Sequence, residues 1–287
     1  MGGFCMGEHL RLAALHDISG FGRGSMTTAI AVSSAAGVQC CPVVGSVLSA
    51  HTAYPQVTVR DLTEDLPGYI DSWQRIGCDF DALYSGYMSH VSQGEQMLRL
   101  LEKSARPGCL FLVDPVMGDN GKAYAGSFGA EFARQMRDYC AHAHIVTPNL
   151  TEAAMLLGKE PDAWKREEHP VERYLEGLLE MGCQAAVITG VETGEGRIGA
   201  RYLTRDGQQG LADCPRVDAY FPGTGDLFAS VLLVTLLRRG RDRLEEGVQM
   251  AVDFVYRCVE HTHKAGTPPL NGVLLEEMLP ILWEKLR

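Results

Sequence analysis

The chain has 287 residues, of which 46% are hydrophobic and 22% are charged, and its formal net charge is −10. These values are typical of a globular protein, and a chain of this length can bury one large core. The acidic balance argues against a nucleic-acid partner, because nucleic-acid surfaces are basic. It does not exclude a nucleotide, which local backbone N–H groups and a metal can hold.

The nine cysteines are scattered along the chain without a C-x-x-C pair, and their number is odd. Reduced thiols in a cytosolic protein explain this pattern best, so we expect a cytoplasmic location. Residues 1–17 contain no basic segment followed by a long apolar run, and no signal peptide is expected. No apolar run approaches the length that crosses a bilayer, so we expect a soluble protein without a membrane partner.

Apolar strand patterns and helical patterns alternate along the chain. The predicted strands are 11–15, 38–48, 82–85, 109–113, 144–147 and 185–189, followed by an antiparallel pair at 197–203 and 209–213. The predicted helices are 25–36, 62–76, 92–105, 128–141, one that ends at Gly158, 171–181, one that follows Asp226, 244–263 and 273–286. This alternation implies parallel β-α-β units, and it predicts an α/β fold with one doubly wound sheet and a single domain, 1–287.

The stretch 221–237, FPGTGDLFASVLLVTLL, joins a glycine-rich turn to a helix pattern with one apolar face. Gly223, Thr224 and Gly225 precede that face, and the free N–H groups of a helix N-terminus attract an anion such as phosphate. Asp226 in the first turn is either a carboxylate favoured by the helix dipole or a general base beside the bound phosphate. The spacing alone favours neither interpretation.

Acidic side chains follow two predicted strands, at the edge of a parallel sheet where ligands bind. Asp114 and Asp119 bracket a turn and could hold Mg²⁺ directly or through water, as kinases require. Alternatively, Asp114 caps the strand end and Asp119 forms an Asx turn. Asn149 and Glu152 fit a capping box, and Glu152 is also a second candidate for the metal–phosphate region. Ser92 with Glu95 predicts another capping box.

Polar and aromatic side chains that could contact a substrate follow the first three strands. They are His16, Asp17, Ser19, His51, Thr52 and Tyr87. A lone histidine after a strand is more often a hydrogen-bonded structural residue than a catalyst, and we predict that role for His16. His51 and Thr52 are explained nearly equally well by substrate contact and by an ordinary structural role in the loop. The ring of Tyr87 could cover a flat ligand or simply pack.

Several motifs in order resemble a known family. FPGTGD before an apolar helix resembles the anion hole and catalytic base of the ribokinase superfamily, and DPVMGDNG and TPNLTEAAMLLG resemble its vitamin-kinase branch. Within that branch, LHDISGFGRGS, VLSAHTAYP and SGYMS are similar to the pyridoxal/pyridoxamine kinase family. The resemblance extends from about Leu12 to Asn271, nearly the whole chain.

The resemblance implies a ribokinase-like homodimer that uses ATP and Mg²⁺ to phosphorylate the 5′-hydroxyl of a vitamin B6 vitamer, and it leaves a monovalent cation open. Asp226 would be the base, and Gly223, Thr224 and Gly225 would form the anion hole. The remaining implied contacts are Asn149, Thr189 and Thr224 with the nucleotide, Asp119 and Glu152 with the metal and phosphates, and Asp17, Ser19, His51, Thr52 and Tyr87 with the vitamer.

Other functions stay open at this point. Asp17 with Ser19 and Gly20 is also similar to the first-strand loop of hydroxymethylpyrimidine kinases of thiamine synthesis, and a sugar or nucleoside kinase is a third candidate. A catalytically silent binding homologue could keep the same fold. The intact sequence from Gly223 to Asp226 argues against that last function, because loss of the acid is the simplest route to an inactive protein.

Overall fold

The computed structural model describes residues 9–126 and 128–287. Its strands are β1 (Arg11–Ser19), β2 (Gln39–Leu48), β3 (Val59–Asp61), β4 (Phe80–Ser85), β5 (Ala105–Val113), β6 (Gly118–Asp119), β7 (Lys122–Ala123), β8 (Ile145–Val146), β9 (Ala185–Gly194), β10 (Arg197–Thr204) and β11 (Gln209–Pro215). Its helices are α1 (Ser25–Ala35), α2 (Leu66–Ile76), α3 (Ser92–Lys103), α4 (Ala130–Cys140), α5 (Leu150–Leu156), α6 (Pro170–Met181), α7 (Thr224–Arg239), α8 (Leu244–Ala265) and α9 (Leu279–Leu286).

Nine strands form one sheet in the order β11-β10-β9-β8-β5-β4-β1-β2-β3, and β6 pairs with β7 in a small separate ribbon. The pairs from β9 across to β2 are parallel, whereas β3, β10 and β11 join in antiparallel fashion. From β1 the chain first adds β2 on one side and then builds β4, β5, β8 and β9 on the other. This reversal confirms the predicted doubly wound α/β fold and creates a switch point at β1, where ligands bind in such sheets.

Two hydrophobic layers cover the two faces of the sheet. Successive residues of β1 enter opposite layers, because side chains alternate across a strand: Leu12 and Ala14 pack in one, and Ala13 and Leu15 in the other. The layer around Leu12 contains α1, α7, α8 and α9, and the opposite layer contains α2 to α6. With both faces covered, β4 is buried at every position, as expected for an inner parallel strand.

The structure corrects several predicted boundaries. β1 continues to Ser19, so Asp17 and Ser19 lie at the end of a strand rather than in a loop. The segment 59–61, predicted outside any element, pairs with β2 as an edge strand, and α2 begins only at Leu66. α9 likewise begins at Leu279, later than predicted.

Two predictions about helices were wrong: the burial of α7 and the N-terminal cap of α3. α7 is buried from Leu227 to Leu236 on all sides, not on one face, because α1, α8 and α9 all pack near it. The capping box predicted from Ser92 and Glu95 does not form. The residue before α3 is Val91, which has helical backbone angles, and no side chain caps that end of α3. In the described part of the chain, no helix has the length and apolar character to span a membrane.

Candidate active site

A cavity of about 820 Å³ opens at the carboxyl ends of the parallel strands. It brings together every site residue predicted from the sequence. These are Asp17, Ser19, His51, Thr52, Tyr87, Asp114, Asp119, Asn149, Glu152, Thr189, Gly223, Thr224, Gly225 and Asp226. They come from β1, β6, β9, α5, the start of α7 and the loops after β2, β4, β5 and β8, as the switch-point rule requires.

The turn before α7 depends on Gly223. This residue has a φ of 82°, which L side chains rarely adopt, and a Cβ added there would lie 2.4 Å from the carbonyl oxygen of Arg23. The Thr224 hydroxyl donates to the Phe221 carbonyl at 3.3 Å, which fixes the other side of the turn. Because α7 begins at Thr224, its first N–H groups lack intrahelical acceptors and can bind an anion.

Asp226 lies in the first turn of α7 with 13% of its side chain exposed. Its Oδ2 accepts the Ser25 N–H at 2.8 Å, and Ser25 itself has a positive φ of 48° at the start of α1. Burial raises the pKa of Asp226 to about 7, the charge of Asp17 adds to the rise, and the Ser25 N–H opposes it. A carboxylate with a pKa near neutrality is well matched to general-base chemistry.

This raised pKa predicts an acidic limb in the activity profile. A base must be deprotonated to act, so kcat/KM should rise with pH through about 7, the pKa of Asp226, and level off above it. The measurement is initial rates from pH 5.5 to 9 at subsaturating acceptor. A limb centred near pH 4, the ordinary range of an aspartate, would contradict the assignment.

Two further carboxylates that line the cavity, Asp114 and Glu152, are buried, and Asp114 lies close to Gly225 at the start of α7. Asp114 is 5% exposed and accepts the Thr147 hydroxyl at 3.2 Å. Burial and the charge of Asp226 raise the pKa of Asp114. Glu152 accepts the N–H groups of Asn149 at 2.9 Å and Met117 at 3.1 Å. Burial and the charge of Asp114 raise the pKa of Glu152, and the two N–H bonds act against that rise.

The predicted capping box of α5 is confirmed, because Asn149 also accepts the Glu152 N–H at 3.0 Å. Asn149 further donates to the Gly118 carbonyl at 2.8 Å, which ties α5 to the β6–β7 ribbon. Thr189 forms a parallel bridge with Asn149 and lies in the middle of β9, which continues beyond the predicted strand end at 189. Two of the three residues predicted to contact a nucleotide are therefore neighbours in the sheet.

Asp119 lies in the β6–β7 ribbon and does not form the Asx turn that the sequence left open, because the Gly121 N–H donates to the Thr151 hydroxyl oxygen at 2.8 Å. Its Oδ1 accepts the N–H of the next residue, Asn120, at 2.8 Å, and its Oδ2 accepts the Asn120 amide at 3.1 Å. Asn120 has a φ of 53°, the left-handed conformation that asparagine tolerates in turns. The Asp119 carboxylate still lines the cavity and keeps lone pairs for a further ligand.

The residues predicted to contact the vitamer have different partners. Asp17 is 3% exposed and accepts the Ser19 hydroxyl at 2.8 Å, and burial raises the pKa of Asp17. A bulge in the pairing of β1 with β2 falls between His16 and Asp17. Bulges of this kind re-aim side chains next to active sites.

Loop contacts occupy the nitrogens of His51. Its Nε2 lies 2.6 Å from the Leu270 carbonyl, and its Nδ1 accepts the Ala53 N–H at 3.3 Å. His51 can therefore contact a ligand only through the carbon atoms and face of its ring. The neighbouring Thr52 is exposed at the edge of the cavity. Tyr87 is half-buried and packs edge-on against Phe128 at a ring distance of 5.9 Å, so it both packs and lines the cavity.

Comparison with known proteins places the chain in a family. The profile of the phosphomethylpyrimidine kinase family matches residues 30–271. The pyridoxal kinase PdxY of Rubrobacter xylanophilus is 30% identical, over 95% of this chain and 94% of its own length. The chain belongs to this family of phosphomethylpyrimidine and pyridoxal kinases.

Two solved structures of this kinase family closely match the fold. A putative phosphomethylpyrimidine kinase from Bacteroides thetaiotaomicron, solved with pyridoxal, is 32% identical with a TM-score of 0.88, covering 96% of both chains. Pyridoxal kinase from Lactobacillus plantarum is 29% identical with a TM-score of 0.85, covering 97% of this chain and 98% of its own. The kinase class and the ribokinase-like fold predicted from the motifs are confirmed.

Some residues at this kinase site were missed by the sequence analysis. Ser25 holds Asp226, but no local pattern connects residues 201 positions apart. Arg23 contacts the Asn271 carbonyl at 3.2 Å and pairs with Glu276 at 2.8 Å, which anchors the C-terminal segment beside the cavity. His16 was predicted to be hydrogen-bonded, and this was wrong. Neither of its ring nitrogens has a partner among the described residues.

Proposed function

We propose that the protein is an ATP-dependent kinase that transfers the γ-phosphoryl group to the 5′-hydroxyl of a vitamin B6 vitamer: pyridoxal, pyridoxine or pyridoxamine. The observation that carries this proposal is the position of Asp226. Its carboxylate has a pKa near 7 and shares one cavity with the N-terminus of α7 and with the buried Asp17. A base, an anion site and a polar acceptor pocket are the parts that phosphoryl transfer requires.

In the proposed reaction, the hydroxyl oxygen of the vitamer forms a bond to the γ-phosphorus, and Asp226 accepts the proton of that hydroxyl. The bond from that phosphorus to the β–γ bridging oxygen breaks, and ADP leaves with the electron pair. Gly223, Thr224 and Gly225 supply the helix N-terminus that stabilises charge on the transferred group. Because the transition state is loose, Asp226 needs only hydrogen-bond reach, and the proton can leave late.

The acidic side of the cavity fits a divalent cation held partly through water. Asp114 and Glu152 are buried, and no arginine, lysine or histidine forms an ion pair with either within the described ranges. No group of three or more His, Cys, Asp or Glu side chains there forms a complete metal site. Asp114, Glu152 and Asp119 would contact Mg²⁺ mainly through water, the phosphate oxygens would complete its coordination, and the ion would neutralise phosphate charge.

The nucleotide and the vitamer would occupy opposite parts of the cavity. Asn149, Thr189 and Thr224 would contact ATP. The vitamer ring would lie against the residues from β1 and the loops after β2 and β4, namely Asp17, Ser19, His51, Thr52 and Tyr87. The solved relative with bound pyridoxal supports this acceptor class.

We also propose that residues 1–287 form one kinase domain that works as a cytoplasmic homodimer. One sheet draws strands from Arg11 to Pro215, which supports a single domain. The eight cysteines within the described residues are free thiols, as expected in a reducing compartment. Exposed Val47 and Val59 at the edge formed by β2 and β3 would suit contact with a second copy.

An acceptor panel tests the proposed function. Purified protein with ATP and Mg²⁺ is assayed for ADP release against pyridoxal, pyridoxine, pyridoxamine and hydroxymethylpyrimidine. We expect kcat/KM for at least one B6 vitamer to exceed that for hydroxymethylpyrimidine by about tenfold or more, the lower end of the discrimination that a difference of one group in a pocket produces. Turnover of hydroxymethylpyrimidine alone would assign the protein to thiamine synthesis, and no turnover with any of the four would indicate another acceptor or a silent homologue.

A further inference from the structure

His16 is a buried polar side chain next to the proposed base. It has 0% exposure, and neither ring nitrogen has a hydrogen-bond partner in the described part of the chain. Buried polar groups in native proteins are nearly always satisfied, so each exception needs an explanation. The Nδ1 atom lies 3.9 Å from Oδ1 of Asp226.

The surrounding residues fix the ring in this position. Tyr84 packs edge-on against the imidazole at a ring distance of 4.4 Å. On another side, Gly86 leaves room for the ring, because a Cβ at that position would lie 2.2 Å from Cε1 of His16. Burial lowers the pKa of His16 to about 3, so the ring is neutral and carries one N–H.

Asp226 has one oxygen held and one free. Oδ2 accepts the Ser25 N–H at 2.8 Å, whereas Oδ1 faces the His16 ring beyond hydrogen-bond distance. A carboxylate anchored at one oxygen can still rotate about its side-chain bonds. Catalytic hydrogen bonds are often long in a free enzyme and tighten when the substrate binds.

We propose that His16 is a positioning residue for Asp226, whose neutral ring donates Nδ1–H to Oδ1 when nucleotide and acceptor are bound. This inference rests on the proposed function, because it assigns a partner to the base of that reaction. Held at both oxygens, the carboxylate points a remaining lone pair at the acceptor hydroxyl. His16 does not relay the proton to solvent, since its ring is fully buried and Nε2 faces no described acceptor or donor.

Three substitutions separate positioning from packing. In His16→Asn the amide nitrogen takes the place of Nδ1, in His16→Gln it takes the place of Nε2, and His16→Leu has no donor. We expect kcat to fall about 10–100-fold in the Leu and Gln variants, as for a misplaced catalytic group, with KM for ATP and acceptor within about twofold. The Asn variant should recover to within about threefold of wild type. Tyr84→Phe keeps the ring contact and serves as the control, with unchanged kcat.

The same substitutions in an Asp226→Asn background complete the test. If His16 acts through Asp226, His16→Leu should lower the residual turnover by less than about twofold, because coupled residues are not additive. Equal losses in the Asn and Gln variants, or full additivity in the double variant, would overturn the proposal. Should the Leu variant fail to fold, the comparison of Asn with Gln still decides.

A spectroscopic readout keeps this inference separate from the acceptor assignment. In histidine-¹⁵N-labelled protein with a non-hydrolysable ATP analogue and pyridoxal, we expect His16 to be neutral and protonated at Nδ1. That ¹⁵N signal should move in Asp226→Asn. A proton on Nε2 would refute the inference even if pyridoxal is phosphorylated. A proton on Nδ1 in a protein that phosphorylates no vitamer would leave the positioning role intact and remove the proposed acceptor.

Discussion

Replacement of Asp226 by asparagine should lower kcat by roughly 10²-fold or more, the scale of a lost general base. In the native protein the Ser25 N–H donates to Oδ2 of Asp226 at 2.8 Å. The asparagine side chain has nearly the same shape, and its amide oxygen can still accept this N–H. KM for ATP and acceptor should therefore stay within about threefold. The measurement is steady-state ADP release with saturating acceptor.

The stability of the same variant provides the control. Burial raises the folded-state pKa of Asp226 to about 7, above the unfolded value of 3.8, so the ionised carboxylate costs stability as pH rises from about 4 through 7. Above pH 7, Asp226→Asn removes that charge and should unfold at the same or a higher denaturant concentration than wild type. Near-wild-type turnover in this folded variant would remove Asp226 from the role of base.

Replacement of Gly223 by alanine should damage both activity and stability. The new Cβ would lie 2.4 Å from the Arg23 carbonyl oxygen and 3.1 Å from the Gly24 Cα, and neither backbone atom is free to yield. The turn must move, which displaces the N–H groups that bind the phosphoryl group. We expect kcat to fall about 10²-fold, the cost of one lost oxyanion donor, and the free energy of unfolding to fall by about 2 kcal/mol or more.

Gly77→Ala is the matched control for this experiment. Gly77 ends α2 with a φ of 77°, close to the 82° of Gly223, and a Cβ there would meet nothing within 4 Å. It should cost about 1–2 kcal/mol of stability from the backbone conformation alone and leave kcat unchanged. If Gly223→Ala keeps the kcat of Gly77→Ala, the position of the turn does not matter for catalysis.

The architecture was accessible from the sequence because its signals are local. β4 and β5 read as apolar runs, the Asn149–Glu152 box lies within one turn of helix, and Gly223 precedes a long apolar segment. Many of the predicted site residues lie at or just after the carboxyl end of a parallel strand, and those ends meet at one edge of the sheet. The residues that line the cavity could therefore be predicted from the sequence.

The details that failed depend on tertiary contacts. α7 presents an apolar pattern on one face, yet the helices around it also bury residues off that face, including Leu227, Ser230 and Leu233. The position of the His16 ring depends on its contact with Tyr84 and on the absence of a side chain at Gly86, and no spacing rule connects either residue to it. Likewise, β3 has only three residues, all exposed, and exists because it pairs with β2.

The hydrogen bond between Ser25 and Asp226 determines when the catalytic site can form during synthesis of the chain. It joins residues 201 positions apart, and the entropy of closing so long a loop is offset only once the intervening sheet has formed. During synthesis, β1 and α1 emerge first and must wait for nearly the whole chain before the base arrives. A nascent chain that stops short of α7 contains every strand of the sheet but lacks the base, so the catalytic site can form only after all the strands have been synthesised.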